Sequence, residues 1–210
     1  MKRKIYFTAD WHVGHANCLK FDKRPFRDLN HMHESLIKNF NYLVPKHGIT
    51  YFLGDMGFRG NGLLRSIIDQ LNGTKVLVRG NHDGKSDAMY NAGFDVVVEK
   101  AQISIGNNII TMTHCPLHGV YREDTRNMRS HTPGENWHKE AKHMHKYSIE
   151  DFGQFHLHGH IHSSKTKTIS SKIDDTGRQM DVGVTAWNYK PVTMSDIMSW
   201  IDNYKKETGN

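Results

Sequence analysis

The sequence predicts an α/β fold in which a parallel sheet, flanked by helices, packs against a second sheet. In the first half of the chain, three strand patterns alternate with helical ones, the order typical of a parallel sheet. Beyond about residue 95, short strands follow one another with few helices between them, which indicates the second sheet. A chain of 210 residues can bury a sizeable core, and we expect one domain over 1–210.

Hydrophobic spacing and turn residues place the individual elements. In the first half, strands are expected over 4–8, 50–53 and 75–78, and helices over about 30–44 and 63–71. In the second half, strands are expected over 96–99, 103–105, 109–113, 155–158 and 180–184. A hairpin turn is expected at 106–108, and Ser195 is the expected N-cap of a last helix.

Composition and charge exclude several classes of protein. Apolar residues make up 37% and charged residues 24%, as in soluble folded proteins. No apolar run approaches the roughly 20 residues that span a bilayer, and no secretory signal is visible, so we expect a cytoplasmic protein without a membrane partner. The net charge of +6 is compatible with a nucleic-acid partner, although scattered solvated lysines give the same count. No obligate protein partner is indicated.

The two cysteines do not form a metal-binding pair. Cys18 and Cys115 are far apart in sequence and are expected to be buried thiols. Cys115 follows His114, and on an extended segment its sulfur is expected to point away from that ring. We therefore assign Cys115 no role.

Polar side chains follow each of the first three predicted strands. Asp10 and His12 follow the first, Asp55 the second and Asn81 the third. Because the carboxyl ends of parallel strands meet at one edge of a sheet, these side chains are expected to lie together. Asp10 and His12 are two residues apart, so on an extended segment both face the same way and can hold one ion.

Histidines extend this pattern into the second half of the chain. His114 ends another predicted strand, and His160 and His162 repeat the alternate spacing of Asp10 and His12. A mixed set of nitrogen and oxygen ligands suits transition metals better than calcium or magnesium. The sequence predicts two divalent ions, with manganese the first candidate and iron, zinc, cobalt or nickel also suitable.

The charge of such a site favours a phosphate ligand. Two divalent ions, two aspartates and one bridging hydroxide sum to about +1, which attracts an anion. A metal pair can activate water and stabilise the phosphoryl oxygens in the transition state. The leaving-group oxygen then lacks a partner, and His82, next to Asn81, is the expected general acid.

These blocks, taken in order, resemble the calcineurin-like metallophosphoesterases. The residues that carry the resemblance are Asp10-x-His12, Gly54-Asp55, Gly80-Asn81-His82-Asp83, His114 and Gly159-His160-x-His162. Any one block occurs often by chance, but five in order form a specific match spread over most of the chain. The segments 15–26 and 183–191 further resemble a small bacterial and phage branch of phosphoesterases.

The resemblance implies a double β-sheet sandwich flanked by helices and a binuclear metal centre. One ion would be held by Asp10, His12, Asp55 and His162. The other would be held by Asp55, Asn81, His114 and His160. It also implies that His82 is the acid near the leaving group.

The chain departs from the protein phosphatases of that superfamily at one position. Their motif Gly-Asp-x-x-Asp-Arg-Gly contains a second aspartate that orients the catalytic histidine, and Phe58 stands there in this chain. Asp83 is expected to orient His82 instead. The candidate substrate-binding residues are His15, Arg24, Arg59 and His118. For His15 and Arg24 a surface or capping role is the alternative.

The function expected from the sequence is phosphoester hydrolysis, with a nucleotide or nucleic-acid phosphodiester as the favoured substrate. The basic, histidine-rich excursion at about 116–150 adds cations close to His114 in sequence. A small-molecule or protein phosphomonoesterase is the first alternative. A non-catalytic metal-binding scaffold is the second.

Two further histidines, His156 and His158, are expected to pack inside the sandwich.

Overall fold

The first strand contributes its residues alternately to two separate apolar layers. In the computed structural model, which describes residues 3–57, 62–117, 145–163 and 177–209, Tyr6 packs into one buried cluster and Phe7 into another. The end of the next strand repeats the pattern, since its last residue Phe52 and the following Leu53 also belong to different clusters. Successive strand side chains point to opposite faces, so the first sheet is covered on both sides.

The described residues form nine strands and five α-helices. The strands are β1 (Ile5–Thr8), β2 (Ile49–Phe52), β3 (Thr74–Val78), β4 (Val96–Val98), β5 (Ala101–Ile105), β6 (Asn108–Met112), β7 (Phe155–His158), β8 (Gln179–Asp181) and β9 (Val192–Thr193). The helices are α1 (Asn17–Phe21), α2 (Leu29–Leu43), α3 (Gly62–Ile68), α4 (Ser86–Asn91) and α5 (Met194–Thr208), with a short 3-10 turn at His145–Tyr147.

The strands are arranged in two mixed sheets. The first has the order β4-β3-β2-β1-β9, in which β1 to β4 are parallel and β9 runs antiparallel to β1. The second has the order β5-β6-β7-β8, in which β5 and β6 form an antiparallel hairpin and β6, β7 and β8 are parallel. A bridge between Ala9 and Gly183 links the segment after β1 with the segment after β8.

Two apolar layers hold these elements together. The outer layer packs the first sheet against its helices, with Leu36 and Phe40 of α2 and Leu64 of α3 against Phe52 and Leu77. The inner layer lies between the sheets and joins the strands to α5. Its buried members are Phe7, Ala9, Leu53, Val78, Ile110, Met112, Phe155, Leu157, Met180, Val182, Val192, Ile197, Trp200 and Ile201.

Side-chain caps fix where the two longest helices begin. The Asp28 carboxylate accepts a hydrogen bond from the His31 amide at 2.8 Å, which satisfies a free donor in the first turn of α2. At α5, Thr193 and Asp196 form a reciprocal capping box. The prediction of Ser195 as N-cap was therefore wrong by two residues, because Ser195 lies within the first turn.

The predicted fold class is confirmed, with two mixed sheets flanked by helices. The predicted strand and helix positions agree with the structure to within a few residues, and the turn at 106–107 joins β5 to β6 as expected. The sequence did not indicate α1, α4 or β9. Of the excursion expected at about 116–150, residues 118–144 lie outside the described residues. Among the described helices, none combines the length and hydrophobicity that crossing a membrane requires.

A glycine allows the two sheets to approach each other beside the first strand. A Cβ atom on Gly159, directly after β7, would lie 2.6 Å from the Ala9 Cβ and 2.6 Å from Asp10 Oδ2. The Ala9 Cβ is fixed to the backbone, and the Asp10 carboxylate is buried and accepts from the His160 amide, so neither neighbour can move aside without a shift of the backbone. Only glycine fits this position without displacing the segment that carries Asp10.

We expect Gly159→Ala to destabilise the fold by about 1–3 kcal/mol, the usual cost of forcing a methyl group into a packed region. The urea midpoint of unfolding measures the change. Gly62→Ala is the matched control, because Gly62 is exposed and no atom lies within 4 Å of its added Cβ. Equal midpoints for the two variants would contradict the close approach.

Candidate metal centre

The loops that follow five strands converge at one edge of the two sheets. Asp10 follows β1, Asp55 follows β2 and Asn81 follows β3, while His114 follows β6 and His160 follows β7. The loops after β1 and β2 stay paired beyond the strands, since the amides of Asp10 and His12 donate to the carbonyls of Gly54 and Asp55. The structure thus brings together the side chains of Asp10, Asp55, His114 and His160, as the sequence pattern predicted. Asn81 precedes His82, whose amide donates to Asp55.

Five of these loop residues have left-handed backbone conformations. The φ angles are 59° at Asp10, 52° at His12, 53° at Asp55, 70° at His160 and 48° at His162. Non-glycine residues in this region are uncommon, and each costs about 1–3 kcal/mol. The prediction that Asp10 and His12 share a face on an extended segment was therefore wrong in its reason. They converge because the backbone turns at both residues.

One group of side chains consists of Asp10, His12 and His162. The Nε2 atoms of His12 and His162 are 2.9 Å apart, and His162 Nε2 lies 3.7 Å from Asp10 Oδ1. Burial lowers the pKa of His12 to about 3, so its ring is neutral and keeps a lone pair. This group offers two nitrogens and one carboxylate to the same small volume.

A second group consists of His114, His160 and Asp55. His114 Nε2 lies 3.2 Å from His160 Nδ1 and 3.3 Å from Asp55 Oδ1. The other ring nitrogen of His114 donates to the Leu53 carbonyl at 2.8 Å, which directs Nε2 towards the cluster.

Asp55 lies between the two groups. Its Oδ1 faces His114, and its Oδ2 is 3.8 Å from His12 Nε2. Burial alone would raise the pKa of Asp55, but the adjacent His114 ring holds it below its usual range. Burial likewise would lower the pKa of His114, but the Asp55 and Asp10 carboxylates raise it to about 10. The second carboxylate is less well compensated, because burial raises the pKa of Asp10 to about 7.

The donor set fits one or more metal cations. Two neighbouring imidazole nitrogens repel each other unless a proton or a cation lies between their lone pairs. Nitrogens bound to one ion at about 2.1 Å, at bond angles of about 90–110°, lie roughly 3.0–3.4 Å apart. The His114–His160 separation of 3.2 Å lies within that range, and the His12–His162 separation of 2.9 Å lies just below it. In addition, the buried Oδ1 of Asn81 has no hydrogen-bond partner among the described residues, as expected of an oxygen reserved for a cation.

His82 and Asp83 have different surroundings. The His82 amide donates to Asp55 Oδ1 at 3.0 Å, while its ring is 45% exposed, with Nε2 4.0 Å from Asp55 Oδ2. The Asp83 carboxylate accepts from the amides of Gly80, Asp55 and Met56 at 2.8–3.0 Å. The expectation that Asp83 orients the His82 ring is corrected, because both oxygens of Asp83 face backbone amides. Asp83 joins the loops after β2 and β3.

The candidate substrate-binding residues differ in where the structure places them. The half-buried His15 ring has its centroid 5.7 Å from that of His12, beside the cluster. Arg24 is enclosed by protein, and its guanidinium donates to the carbonyls of Asp10 and Trp11. The prediction that Arg24 contacts the substrate is therefore corrected. Arg24 lies behind the site and supports the segment after β1. Arg59 and His118, together with Phe58, lie outside the described residues.

Three residues near the centre were not predicted by sequence reasoning. Asp22 accepts from His162 Nδ1 at 3.0 Å. In the sequence, the only indication of this role is that Asp22 lies two residues before Arg24. The buried Asp181 accepts from the Ser163 and Gly183 amides at 2.9 and 2.7 Å, which fixes the loop that follows His162. The Cys115 sulfur lies within 4.8 Å of ligand nitrogens on His114 and His160, so the expectation that it points away was wrong.

The two remaining histidines of β7 are buried, as expected. Thr111 and Thr113 enclose the His156 ring, with their hydroxyls 2.9 and 3.1 Å from its nitrogens. Burial lowers the pKa of His156 to about 3, so it is a neutral polar group in the second sheet. His158 Nδ1 contacts the Gly159 carbonyl at 2.9 Å.

Comparison with known proteins shows chains that are similar along nearly their whole length. No protein-family model matches the sequence. An uncharacterised protein of Methanocaldococcus jannaschii is 29% identical over 205 residues, covering 97% of this chain and 94% of that protein. The Gene 66 protein of Mycobacterium phage L5 is 26% identical over 216 residues, covering 97% of each chain.

A solved structure shows the same fold. A protein of unknown function from Aquifex aeolicus superposes with a TM-score of 0.65 and 21% identity, covering 94% of this chain and 99% of that one. The E. coli phosphoesterase YfcE is more remote, with a TM-score of 0.41 and 13% identity over 86% of this chain and 78% of its own. The similarity to the Aquifex protein establishes the architecture along nearly the whole chain.

Proposed function

We propose that the protein is a metal-dependent phosphoesterase with a binuclear centre. The observation that carries the proposal is the arrangement of two histidine pairs, His12 with His162 and His114 with His160, on either side of Asp55. Asp10 would complete the first metal position and Asn81 the second. The resemblance to the calcineurin-like metallophosphoesterases, which share these residue blocks in order, supports the same assignment.

The chemistry of the site favours a phosphoester substrate. Seven neutral or anionic ligands, only two of them carboxylates, would leave two divalent ions with a net positive charge that attracts phosphate. Bound metal ions would supply an activated water and stabilise the charge that develops on the phosphoryl oxygens.

The protein's own residues would then supply a proton and orientation. His82 is the proposed general acid, because its half-exposed ring stands beside Asp55 and can face the leaving group. His15, whose ring centroid lies 5.7 Å from that of His12, is the proposed contact for a phosphate oxygen. Asp83 holds the loop before His82 against the loop of Asp55, which fixes the distance from the acid to the metal centre.

The proposed substrates are phosphodiesters, with nucleotides or nucleic acids favoured over phosphoproteins. Phe58 replaces the second aspartate of the protein-phosphatase motif, which weighs against a phosphoprotein. The net charge of +6 and the cations Arg122, Arg126, Arg129, Lys139 and Lys142 suit a polyanion. The runner-up is a phosphomonoesterase, and preference for monoesters across a substrate panel would favour it.

The first prediction concerns Asp55, which contacts both histidine pairs. We expect Asp55→Asn to lower metal content at both positions and to abolish hydrolysis, because a neutral amide is a weak bridge between two cations. Elemental analysis after dialysis against Mn²⁺ measures the metal content, and hydrolysis of bis-nitrophenyl phosphate measures the activity.

Asp151→Asn, which changes an aspartate paired with Arg178 away from the site, is the control. Normal content and rate in Asp55→Asn would refute the binuclear assignment. Two bound ions with no activity on any phosphoester would favour a binding scaffold.

The second prediction concerns His82. We expect His82→Ala to retain its metal ions but to lose rate by about 10²–10⁴, the usual contribution of a general acid. The loss should be smaller for nitrophenyl esters, because a good leaving group needs little protonation. His47→Ala, an exposed histidine before β2 at the opposite end of the sheet, should leave both rates unchanged. An equal loss for good and poor leaving groups would assign His82 to substrate binding.

The third prediction concerns the substrate class. Replacing Arg122, Arg126, Arg129, Lys139 and Lys142 with glutamine should raise KM for an oligonucleotide and reduce its salt dependence, because fewer counterions are released on binding. KM for a small aryl diester should stay unchanged. The matched control replaces five exposed lysines elsewhere, Lys4, Lys38, Lys46, Lys100 and Lys206, which removes the same charge. If both variants or both substrates respond alike, the nucleic-acid assignment fails.

A further inference from the structure

A buried ion pair lies directly behind the candidate metal centre. Asp22 and Arg24 come from the segment after α1, and their side chains are 10% and 0% exposed. The guanidinium contacts Asp22 Oδ2 through Nε at 3.0 Å and through Nη2 at 2.9 Å. Burying such a pair is costly, and a well-packed apolar pair would stabilise a fold at least as well. Stability alone therefore does not explain this ion pair, and its other contacts indicate a further role.

Asp22 contacts a proposed metal ligand with its other oxygen. Asp22 Oδ1 lies 3.0 Å from His162 Nδ1, while His162 Nε2 faces His12 and Asp10. Because a carboxylate only accepts, the proton of a neutral His162 ring must sit on Nδ1. The Nε2 lone pair is then directed at the metal position. Asp22 thus selects one of the two tautomers and fixes the orientation of the ring.

Arg24 contacts the segment that carries two more proposed ligands. Its Nη2 donates to the Asp10 carbonyl at 2.9 Å, and its Nη1 donates to the Trp11 carbonyl at 3.1 Å. Asp10 and His12, on either side of Trp11, both have left-handed backbones. The planar guanidinium therefore ties this strained turn to Asp22 with one rigid group, which the single ammonium of a lysine could not reproduce.

We propose that Asp22 and Arg24 are positioning residues that pre-assemble one of the two metal positions. Arg24 holds the turn of Asp10 and His12, and through Asp22 it holds His162, so three proposed ligands share one support. The second position, proposed at His114 and His160, has no contact with this pair among the described interactions. The inference rests on the proposed function only where it concerns metal binding, because the orientation of His162 exists without metal.

The test uses the full chain with three variants. Asp22→Ala removes the acceptor for His162. Asp22→Asn keeps an oxygen for the ring but loses the charge that pairs with Arg24. Arg24→Lys keeps a charge but loses the planar contacts. Asp151→Ala is the matched control, because Asp151 forms a comparable two-point pair with Arg178 before the start of β7, at the opposite end of that strand from His160.

The first measurement is made on metal-free protein. Histidine ¹⁵N spectra, recorded at a pH where the ring is neutral, report which nitrogen of His162 carries the proton. We expect the Nδ1–H form in the native chain and in Asp22→Asn, and a mixture richer in Nε2–H in Asp22→Ala. An unchanged tautomer in Asp22→Ala would overturn the positioning role of Asp22, whether or not the protein binds metal ions.

The second measurement is calorimetric titration of the metal-free protein with Mn²⁺. We expect about 10–100-fold weaker binding at one position in Asp22→Ala and Arg24→Lys, the usual effect of losing a residue that orients a ligand. Binding at the other position and in Asp151→Ala should match the native protein. Equal weakening at both positions, or equal weakening in Asp151→Ala, would reduce the pair to a general stabilising role and overturn the proposal. A native chain that binds no Mn²⁺ would refute the proposed function instead, and the tautomer result would still decide the role of Asp22.

Discussion

The structure depends on the burial of two carboxylates, Asp10 and Asp55, where the two sheets meet. Both are at most 1% exposed, and an uncompensated carboxylate in such a place is very costly. The protein supplies partial compensation. The His160 amide donates to Asp10, the His82 amide donates to Asp55, and the His114 ring lies against Asp55. The remaining negative charge, with several nitrogen lone pairs around it, makes a cation the natural partner of the site.

The same constraint explains the strain in the surrounding loops. Left-handed residues and glycines bring the ligands close enough to share a small volume, and each such residue costs free energy. Side chains behind the cluster offset that cost. Asp83 binds the loops after β2 and β3, Asp181 binds the loop after His162, and Arg24 binds the turn after β1. The closed side of the site is thus built from buried charges. The more open side carries the half-exposed His82 and the half-buried His15.

Topology determines which segments can contribute. Four parallel strands of the first sheet and three of the second deliver their carboxyl ends to one edge, and the inner apolar layer fixes the sheets against each other. Glycines then set how close the loops come, as Gly159 does beside Ala9 and Asp10. A rigid scaffold of this kind would suit the proposed hydrolysis, because side chains held in place need little reorganisation when charge develops in a transition state.

The sequence by itself determined the order of the elements, the fold class and which side chains meet. Hydrophobic periodicity and polar residues at strand ends are local signals, and parallel strands convert them into a shared edge. Only the tertiary structure decided how those side chains are held. The roles of Asp22, Asp83 and Arg24 depend on contacts between segments distant in sequence, and the position of the Cys115 sulfur depends on the bend of the backbone at residues 114 and 115, after β6. The alternating spacing of residues predicts side-chain directions only for an extended backbone. It cannot predict them at bends and turns, because left-handed residues reverse the direction in which a side chain points.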